Sequence, residues 1–544
     1  MVRSAATDIE EASLDLIVVG AGINGAGVAR DAAMRGLRVL LLDKGDIASG
    51  TTSWSTRLIH GGLRYLEHGE VSLVRESLRE RERLFHIAPH LVRPLPMIIP
   101  VYEGQRRGPL MIRAGMIAYD LLSLDKSLDR HRMLSREETL RRVPGLRAEG
   151  LRGAALYYDA QVEYAERLVL ENVLSAREHG ARVHTYARVS RFIIEDGAVR
   201  GVEFTDLLGG GSRQRALSLL TLNVSGPWVD LLLGTLEHPP SRLLGGTKGS
   251  HIVVDDFPGA PRDALYVEAH EDGRPFFIIR WNGMYLIGTT DSRYDDDPDA
   301  VAADEREIAY LLRETNRVIP SARLTRRSVL YTYSGVRPLA YDERSVGGSI
   351  TRRHFVHDHA DRLEGFLSIV GGKLTTYRNL SEEAVDLVFK KLGRETPPCE
   401  TAKLRLPGAQ TDDFAAFGQR FKSDSGLNLS VAERLLRVYG TRAPDLLRLA
   451  AEGPDLLEVL SPLTGAIGAE ILMSFRHELA RTLADCLLRR TMLGLNGAVG
   501  LDAVEGAARI ARKYLGWSIA RAEDEVAAYR RYIERFHPRS LSAT

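Results

Sequence analysis

The sequence predicts an α/β protein with a parallel βαβ unit first, an antiparallel sheet in the middle and an all-α part last. Three observations predict it. Residues 14–43 read LDLIVVGAGINGAGVARDAAMRGLRVLLLD, a strand, a glycine turn, a helix and a second strand. Between His251 and Gly288 short apolar runs alternate with Asp-Gly and Asn-Gly turns. Beyond about residue 410 the apolar residues recur with helical spacing.

Composition narrows the function classes. The 544 residues are 44% hydrophobic and 27% charged, the balance of a globular protein of several domains. Lys+Arg at 73 against Asp+Glu at 72 gives a net charge of +1, so no bulk field draws the chain to nucleic acid. Two cysteines, Cys399 and Cys486, exclude a disulfide framework and a four-cysteine metal site, and fit a reducing compartment. With Asp8, Glu10 and Glu11 and no apolar core near its start, the sequence leads us to expect no signal peptide. No run approaches the ~18 apolar residues of a membrane span. Nine of the 73 basic residues are Lys, so an Arg is the default cation here and a Lys within a glycine motif carries more information.

The first unit has the logic of a dinucleotide site. Leu14–Val19 reads as a buried parallel strand, followed by Gly20, Gly22 and Gly25 in GxGxxG spacing. Gly20 permits the tight turn, Gly22 lets backbone approach a pyrophosphate, and Gly25 lets helix and strand pack closely. The free N–H groups of the helix start then face the phosphates. Asp43, 23 residues after Gly20, ends the next strand where a ribose needs an acceptor, and an acid there argues against a 2′-phosphate. After Lys44 comes GDIASGTTSWSTRLIHGGLRYLEHGE, polar and glycine-rich, with no second strand–helix unit. A loop of this kind suits a flavin's pyrophosphate and ring better than a nicotinamide domain, so FAD is the expected cofactor.

Further along, Val162–His179 has helical spacing, and strands are expected over Arg182–Glu195, Val199–Asp206 and Leu217–Val224, with Gly226 again allowing close backbone approach. The short strands His251–Val254, Ala264–Ala269, Phe276–Trp281 and Tyr285–Gly288 form the antiparallel region, suited to roofing a flavin and shaping a substrate pocket. Phe366–Val370 is a last strand, running into Gly371-Gly372-Lys373-Leu374-Thr375-Thr376-Tyr377-Arg378 and a helix from about Leu380. Helices are expected over Ala432–Tyr439, Pro444–Ala451, Ala469–Met492, Ala503–Tyr514 and Ile519–Phe536. The domain division is 1–395 for the FAD and substrate regions, 396–409 for a linker and 410–544 for a helical domain. Within the first, FAD is assigned to about 14–65, 150–235 and 365–390, and substrate to about 66–149 and 236–364.

The strings HGGLRYLE at His60–Glu67, KGSHIVV at Lys248–Val254, GTTD at Gly288–Asp291, YSGVRPL at Tyr333–Leu339 and GGKLTTYR at Gly371–Arg378 resemble the FAD-dependent glycerol-3-phosphate dehydrogenase family in order and spacing. The resemblance implies the FAD fold of the glutathione-reductase and D-amino-acid-oxidase type with a helical C-terminal domain. It implies oxidation of sn-glycerol 3-phosphate to dihydroxyacetone phosphate, with electrons passed to a membrane quinone. It implies a cytoplasmic protein held peripherally on the inner face of the cell membrane. A related oxidase branch carries an insertion for which this chain has little room. A homodimer is an open option.

The residues themselves agree with that chemistry. A phosphate dianion needs several fixed donors, which Arg64 with Tyr65, Arg337, Arg352 and Lys373 supply from separate segments. The resemblance implicates the positions of Arg64, Arg337, Arg352 and Lys373 in substrate binding; from the sequence, Arg353 competes with Arg352, and Arg352 competes with a plain surface residue. Hydride transfer needs a base for the hydroxyl proton. His251 is the first candidate, with a satisfied strand-start histidine as its bland alternative, and Lys373 or Arg337 suits a developing alkoxide. FAD is assigned to Gly20, Gly22, Gly25, Asp43, Thr52, Ser53, His60, Gly61, Gly226, Gly371, Gly372, Leu374 and Thr375, bound non-covalently.

Other patterns carry less. No metal is expected: His354, His357, Asp358 and His359 fall in a polar stretch, and His477-Glu478 lacks the second His of a zinc helix. Lys248-Gly249-Ser250 has the wrong order for a P-loop. Pro94–Leu124 mixes apolar clusters with Arg106, Arg107 and Arg113 and reads either as a lipid-docking face or as a core helix with a solvated loop. Two rivals stand beside the main reading: an amine or 2-hydroxyacid oxidase of the same fold, and a non-catalytic flavin redox sensor.

Overall fold

The computed structural model describes residues 14–67, 69–124, 127–341 and 353–541. Its first sheet has eight strands. Leu14–Val19 is the fully buried central strand, flanked in parallel by Val39–Leu42 and Arg213–Asn223. Arg182–His184 extends one side in parallel and Phe366–Val370 the other. Helices Ile23–Met34, Ala165–Glu178 and Tyr377–Lys391 cover one face. The expected strand over Arg182–Glu195 is two strands. Tyr186, at φ 59, breaks it and turns Ala187–Glu195 into a hairpin with Ala198–Asp206.

The second sheet has ten strands and holds the antiparallel region. Thr247–Val254 lies between Met284–Gly288 and Val329–Arg337, and the order continues through Pro275–Trp281 and Ala264–Glu268. Two long strands complete it: Val92–Tyr102, parallel to Ala264–Glu268, and Leu151–Val162, antiparallel to Val92–Tyr102. The apolar cluster Met97–Val101 is therefore buried strand. The helix that follows, Pro109–Leu121, buries Ile112, Met116 and Tyr119 and turns the rest of its apolar side chains outward.

The C-terminal part is helical, with helices that include Leu429–Tyr439, Val504–Leu515 and Ile519–Ile533. The long helix expected over Ala469–Met492 is broken. Ala469–Arg476 ends before Leu479 at φ 62, Thr482 caps a short turn at Leu483–Asp485, and Cys486–Arg490 forms a π turn. The reason is charge: Glu478, Asp485, Arg489 and Arg490 are all buried, and the breaks aim each at a partner. These helices share one apolar cluster with Val253, Trp281, Leu286, Leu330 and Tyr333 of the second sheet. Residues 396–409 are pinned as well: the Leu406 N–H bonds the Ile87 carbonyl and the Gly408 N–H bonds Glu171 at 2.7 Å.

Candidate active site

A cavity of about 1510 Å³ runs from the glycine turn between the two sheets to the C-terminal helices. Its wall contains Gly20, Gly22, Asp43, Thr52, Gly226, Gly371, Gly372, Lys373 and Leu374, nine positions singled out in the sequence. The turn is built as the spacing requires. Gly20 has φ +116, and a methyl at Gly25 would stand 1.8 Å from the Gly20 carbonyl oxygen, so Gly25 belongs to the packing beneath the cavity. At Gly22 the nearest atom to such a methyl is Thr52 Oγ1 at 3.7 Å, leaving the backbone open toward the cavity. The Ile23 N–H bonds that same Oγ1.

Asp43 accepts from the Ala21 N–H at 2.6 Å and the Gly45 N–H at 2.8 Å, tying the second strand to the glycine turn while still lining the cavity. Burial pushes its carboxyl up, opposed by those two donors. Ser53 faces away and donates to the Ala48 carbonyl. The loop's far end is fixed from behind by Arg57, which is fully buried. Its guanidinium bonds Glu166 at 2.7 and 2.8 Å, donates to the Ser53 carbonyl and lies 4.5 Å from the Trp281 ring. Burial works against the Arg57 charge, but attraction from Glu166 overrides it and raises the Arg57 pKa, so the guanidinium keeps its charge.

Beyond the glycine turn, one face of the second sheet is cleared by three glycines. Gly249 and Gly335 are opposite in register, and Gly288 faces His251. A methyl at Gly249 would stand 2.6 Å from the Arg337 Cζ, at Gly288 2.5 Å from His251 Cδ2, and at Gly335 3.1 Å from Trp54 Cβ. The glycines thus make room for Arg337, His251 and the flavin-loop tryptophan side by side. Arg337 is aimed by Asp291 at 3.1 Å and by Thr289 Oγ1 at 3.0 Å. His251 is buried, its Nε2 3.0 Å from Thr56 Oγ1 and its ring 4.8 Å from Tyr333. Burial, then the charges of Arg337 and Arg57, drive its pKa well below the usual imidazole value, so the ring is neutral. It stands behind the cavity wall rather than on it.

The Gly371–Arg378 segment faces this sheet. Gly371 and Gly372 have φ +82 and +98, and Asn24 Nδ2 donates to the Gly371 carbonyl. The Lys373 ammonium lies 3.7 Å over the Tyr65 ring and 3.4 Å from Ser77 Oγ. Thr375 Oγ1 accepts from the His60 N–H at 3.1 Å. Gly61 lets Tyr119 come close, with its N–H on the Tyr119 hydroxyl at 3.0 Å. Arg64 and Tyr65 open the short helix Arg64–Glu67. Arg352 lies outside the described residues. His359 is bonded to Ser368 and stacked on Phe366.

The sequence reading passed over Tyr186, Trp54, Trp228, Arg489 and Tyr532, all of which line the cavity. Trp228, directly after Gly226-Pro227, and Trp54, within the glycine-rich loop, had a local signal in their neighbours. Arg489 and Tyr532 had none, because they arrive from helices far along the chain. The residues present fit a flavin dinucleotide: an elongated cavity, a helix start behind an open glycine, and an acid at the next strand end.

Comparison with known proteins agrees. The family described as FAD dependent oxidoreductase matches residues 15–378, and the C-terminal domain of alpha-glycerophosphate oxidase matches residues 399–522. The chain is 47% identical to a glycerol-3-phosphate dehydrogenase of Synechocystis sp., covering 97% of this chain and 98% of that protein. It is 33% identical to an aerobic glycerol-3-phosphate dehydrogenase of Staphylococcus aureus, over 88% and 86%. The solved structure of the Bacillus halodurans glycerol-3-phosphate dehydrogenase complexed with FAD matches with a TM-score of 0.80 at 29% identity, covering 97% of this chain and 96% of that one. The cofactor is FAD, and the chain belongs to the FAD-dependent glycerol-3-phosphate dehydrogenase family.

Proposed function

We propose that the protein oxidises sn-glycerol 3-phosphate to dihydroxyacetone phosphate at a non-covalently held FAD and that a membrane quinone takes the electrons. The observation that carries this is Lys373: a cation suited to a phosphate shares one loop with the glycines that line the dinucleotide cavity. When bound, FAD supplies a hydride acceptor at N5. Arg337, Lys373 and Arg64 with Tyr65 grip the phosphate, each charge-assisted bond contributing about 1.5–3 kcal/mol. Asp291 and Thr289 hold the Arg337 guanidinium in one orientation, so little entropy is lost when the substrate arrives. His251 is neutral but stands behind the cavity wall, its Nε2 3.0 Å from the Thr56 hydroxyl, so it shapes that wall rather than meeting the substrate hydroxyl directly. Lys373 steadies the developing alkoxide. Three cationic positions, Arg64, Arg337 and Lys373, are more than a carboxylate substrate requires, which favours this reading over an amine or 2-hydroxyacid oxidase.

Helix Pro109–Leu121 supports peripheral docking on lipid. Leu110 is 83% exposed, and Met111, Ile117, Leu121 and the nearby Leu124 are also exposed, beside Arg106 and Arg113. No described helix is long and apolar enough to cross a membrane. A steady-state assay with a short-chain quinone tests the reaction: the quinone must be reduced with glycerol 3-phosphate, giving dihydroxyacetone phosphate, and not with glycerol, and equal turnover of both polyols contradicts the phosphate grip.

A further inference from the structure

Asp46 is the second residue after Lys44 in the loop that follows the strand end, and its side chain is fully buried although the loop lines the FAD cavity. Its partners come from the other end of the chain. Arg489 Nε donates to Asp46 Oδ2 at 2.6 Å, and Arg490 donates to Oδ2 and Oδ1 at 2.8 and 2.7 Å. Both arginines belong to the π turn at Cys486–Arg490, and their long side chains meet at this one carboxylate. Arg489 also donates to Asp485 at 2.8 Å, and Asp485 accepts from the Tyr186 hydroxyl at 2.6 Å, so two arginines face two aspartates and the buried charge is balanced.

Burying four charges is a poor way to hold a domain already held by apolar packing, since desolvation offsets most of the attraction. The charges instead converge on one short loop. Just after Asp46, Ala48 is held at φ +62, a conformation an alanine rarely adopts, and its N–H bonds the Ala21 carbonyl inside the glycine turn. On the loop's other side, the Tyr186 N–H bonds the Gly45 carbonyl and the Ala187 N–H bonds the Asp43 carbonyl. Arg489 and Tyr186 also line the cavity. The loop is thus fixed between the glycine turn and the C-terminal helices, with Asp46 as its anchor.

We propose that Asp46, Arg489 and Arg490 form a clamp by which the C-terminal helical part positions the dinucleotide loop and sets how tightly FAD is held. This rests on the FAD reading of the cavity and deepens it: the helices complete the cofactor site, and the three residues are positioning residues.

The test follows FAD release from diluted holoenzyme by the rise in flavin fluorescence, with Tm and the KM for glycerol 3-phosphate measured on the same samples. Asp46→Asn removes the anchor charge, and Arg489→Lys keeps the charge but gives up the two-way bond to Asp46 and Asp485. The clamp predicts release faster by about tenfold or more for Asp46→Asn, the worth of one charge-assisted bond, and by a smaller factor for Arg489→Lys. KM stays within about twofold, because Asp46, Arg489 and Arg490 share no bond with Lys373 or Arg337 and only the dinucleotide loop is loosened. Wild-type release with a lowered Tm shows a merely structural pair and overturns the proposal, as does a parallel shift of release and KM in both variants. If Asp46→Asn does not fold, Arg489→Lys decides alone. A wild-type protein lacking the flavin band overturns the FAD reading itself, which the first spectrum shows before any variant is made.

Discussion

Gly22 and Gly25 separate what the ligand needs from what the fold needs. Gly22→Ala places a methyl 3.7 Å from its nearest protein neighbour, at φ −74 and ψ −177, a conformation alanine adopts freely. In the apoprotein the change is neutral or stabilising by about 0.4–1 kcal/mol, through the lost freedom of the unfolded chain. With FAD present the methyl occupies the approach to the pyrophosphate. Overpacking of that kind costs about 1–3 kcal/mol, or about 5- to 150-fold in Kd. Gly25→Ala sets the methyl 1.8 Å from the Gly20 carbonyl oxygen, where backbone must move, so the apoprotein itself loses stability. The assay is thermal unfolding of flavin-free protein together with titration of FAD by fluorescence quenching. Wild-type FAD affinity in a folded Gly22→Ala protein would refute the placement of the pyrophosphate at this turn.

Lys373→Met removes one cation from the phosphate grip. kcat/KM is expected to fall about 10- to 150-fold, the worth of one charge-assisted bond, while the absorbance ratio of flavin to protein stays at the wild-type value. Arg57→Met strands the buried Glu166 carboxylate and should cost about 3–5 kcal/mol of stability, read as a lower denaturant midpoint. The buried His251 ring binds its proton well below the usual value, whereas the unfolded chain binds one near pH ~6.5. Below that pH the unfolded state therefore holds the extra proton, and stability falls by up to ~1.4 kcal/mol per pH unit; above it this group contributes no slope. His251→Leu should flatten the acid limb of a urea stability profile, and an unchanged limb contradicts the neutral ring. Exchanging Leu110 and Leu121 for Ser should leave Tm within a few degrees and reduce flotation with anionic vesicles, since both side chains are already exposed.

The nucleotide unit was legible because its physics is local. The glycine spacing, the small residues of the helix and the acid at Asp43 lie within one run of chain, and each answers a backbone need that no other residue type meets. The strand Val92–Tyr102 was not legible, since Pro94, Pro96 and Pro100 argue against a strand. The three share one parity, so their missing N–H groups fall along one edge. The full ladder with Leu151–Val162 runs on the other edge, and Ala264–Glu268 pairs only at Met97 and Ile98. The break in Ala469–Met492 was hidden for another reason. Helical periodicity is read from apolar residues, whereas the break is set by Glu478, Asp485, Arg489 and Arg490, whose partners Arg167, Tyr186 and Asp46 lie hundreds of residues away. The site was legible in the same proportion: glycines and cations within motifs were found, and the wall that the C-terminal helices supply was not.

The central claim is that one cavity unites FAD with a grip for a phosphorylated polyol. The most direct measurement is the anaerobic absorbance spectrum of the purified protein before and after glycerol 3-phosphate, with glycerol and a D-amino acid as controls. The account predicts a flavin band near ~450 nm that bleaches only with the phosphorylated polyol. A band that glycerol or the amino acid bleaches equally well, or that nothing bleaches, contradicts it.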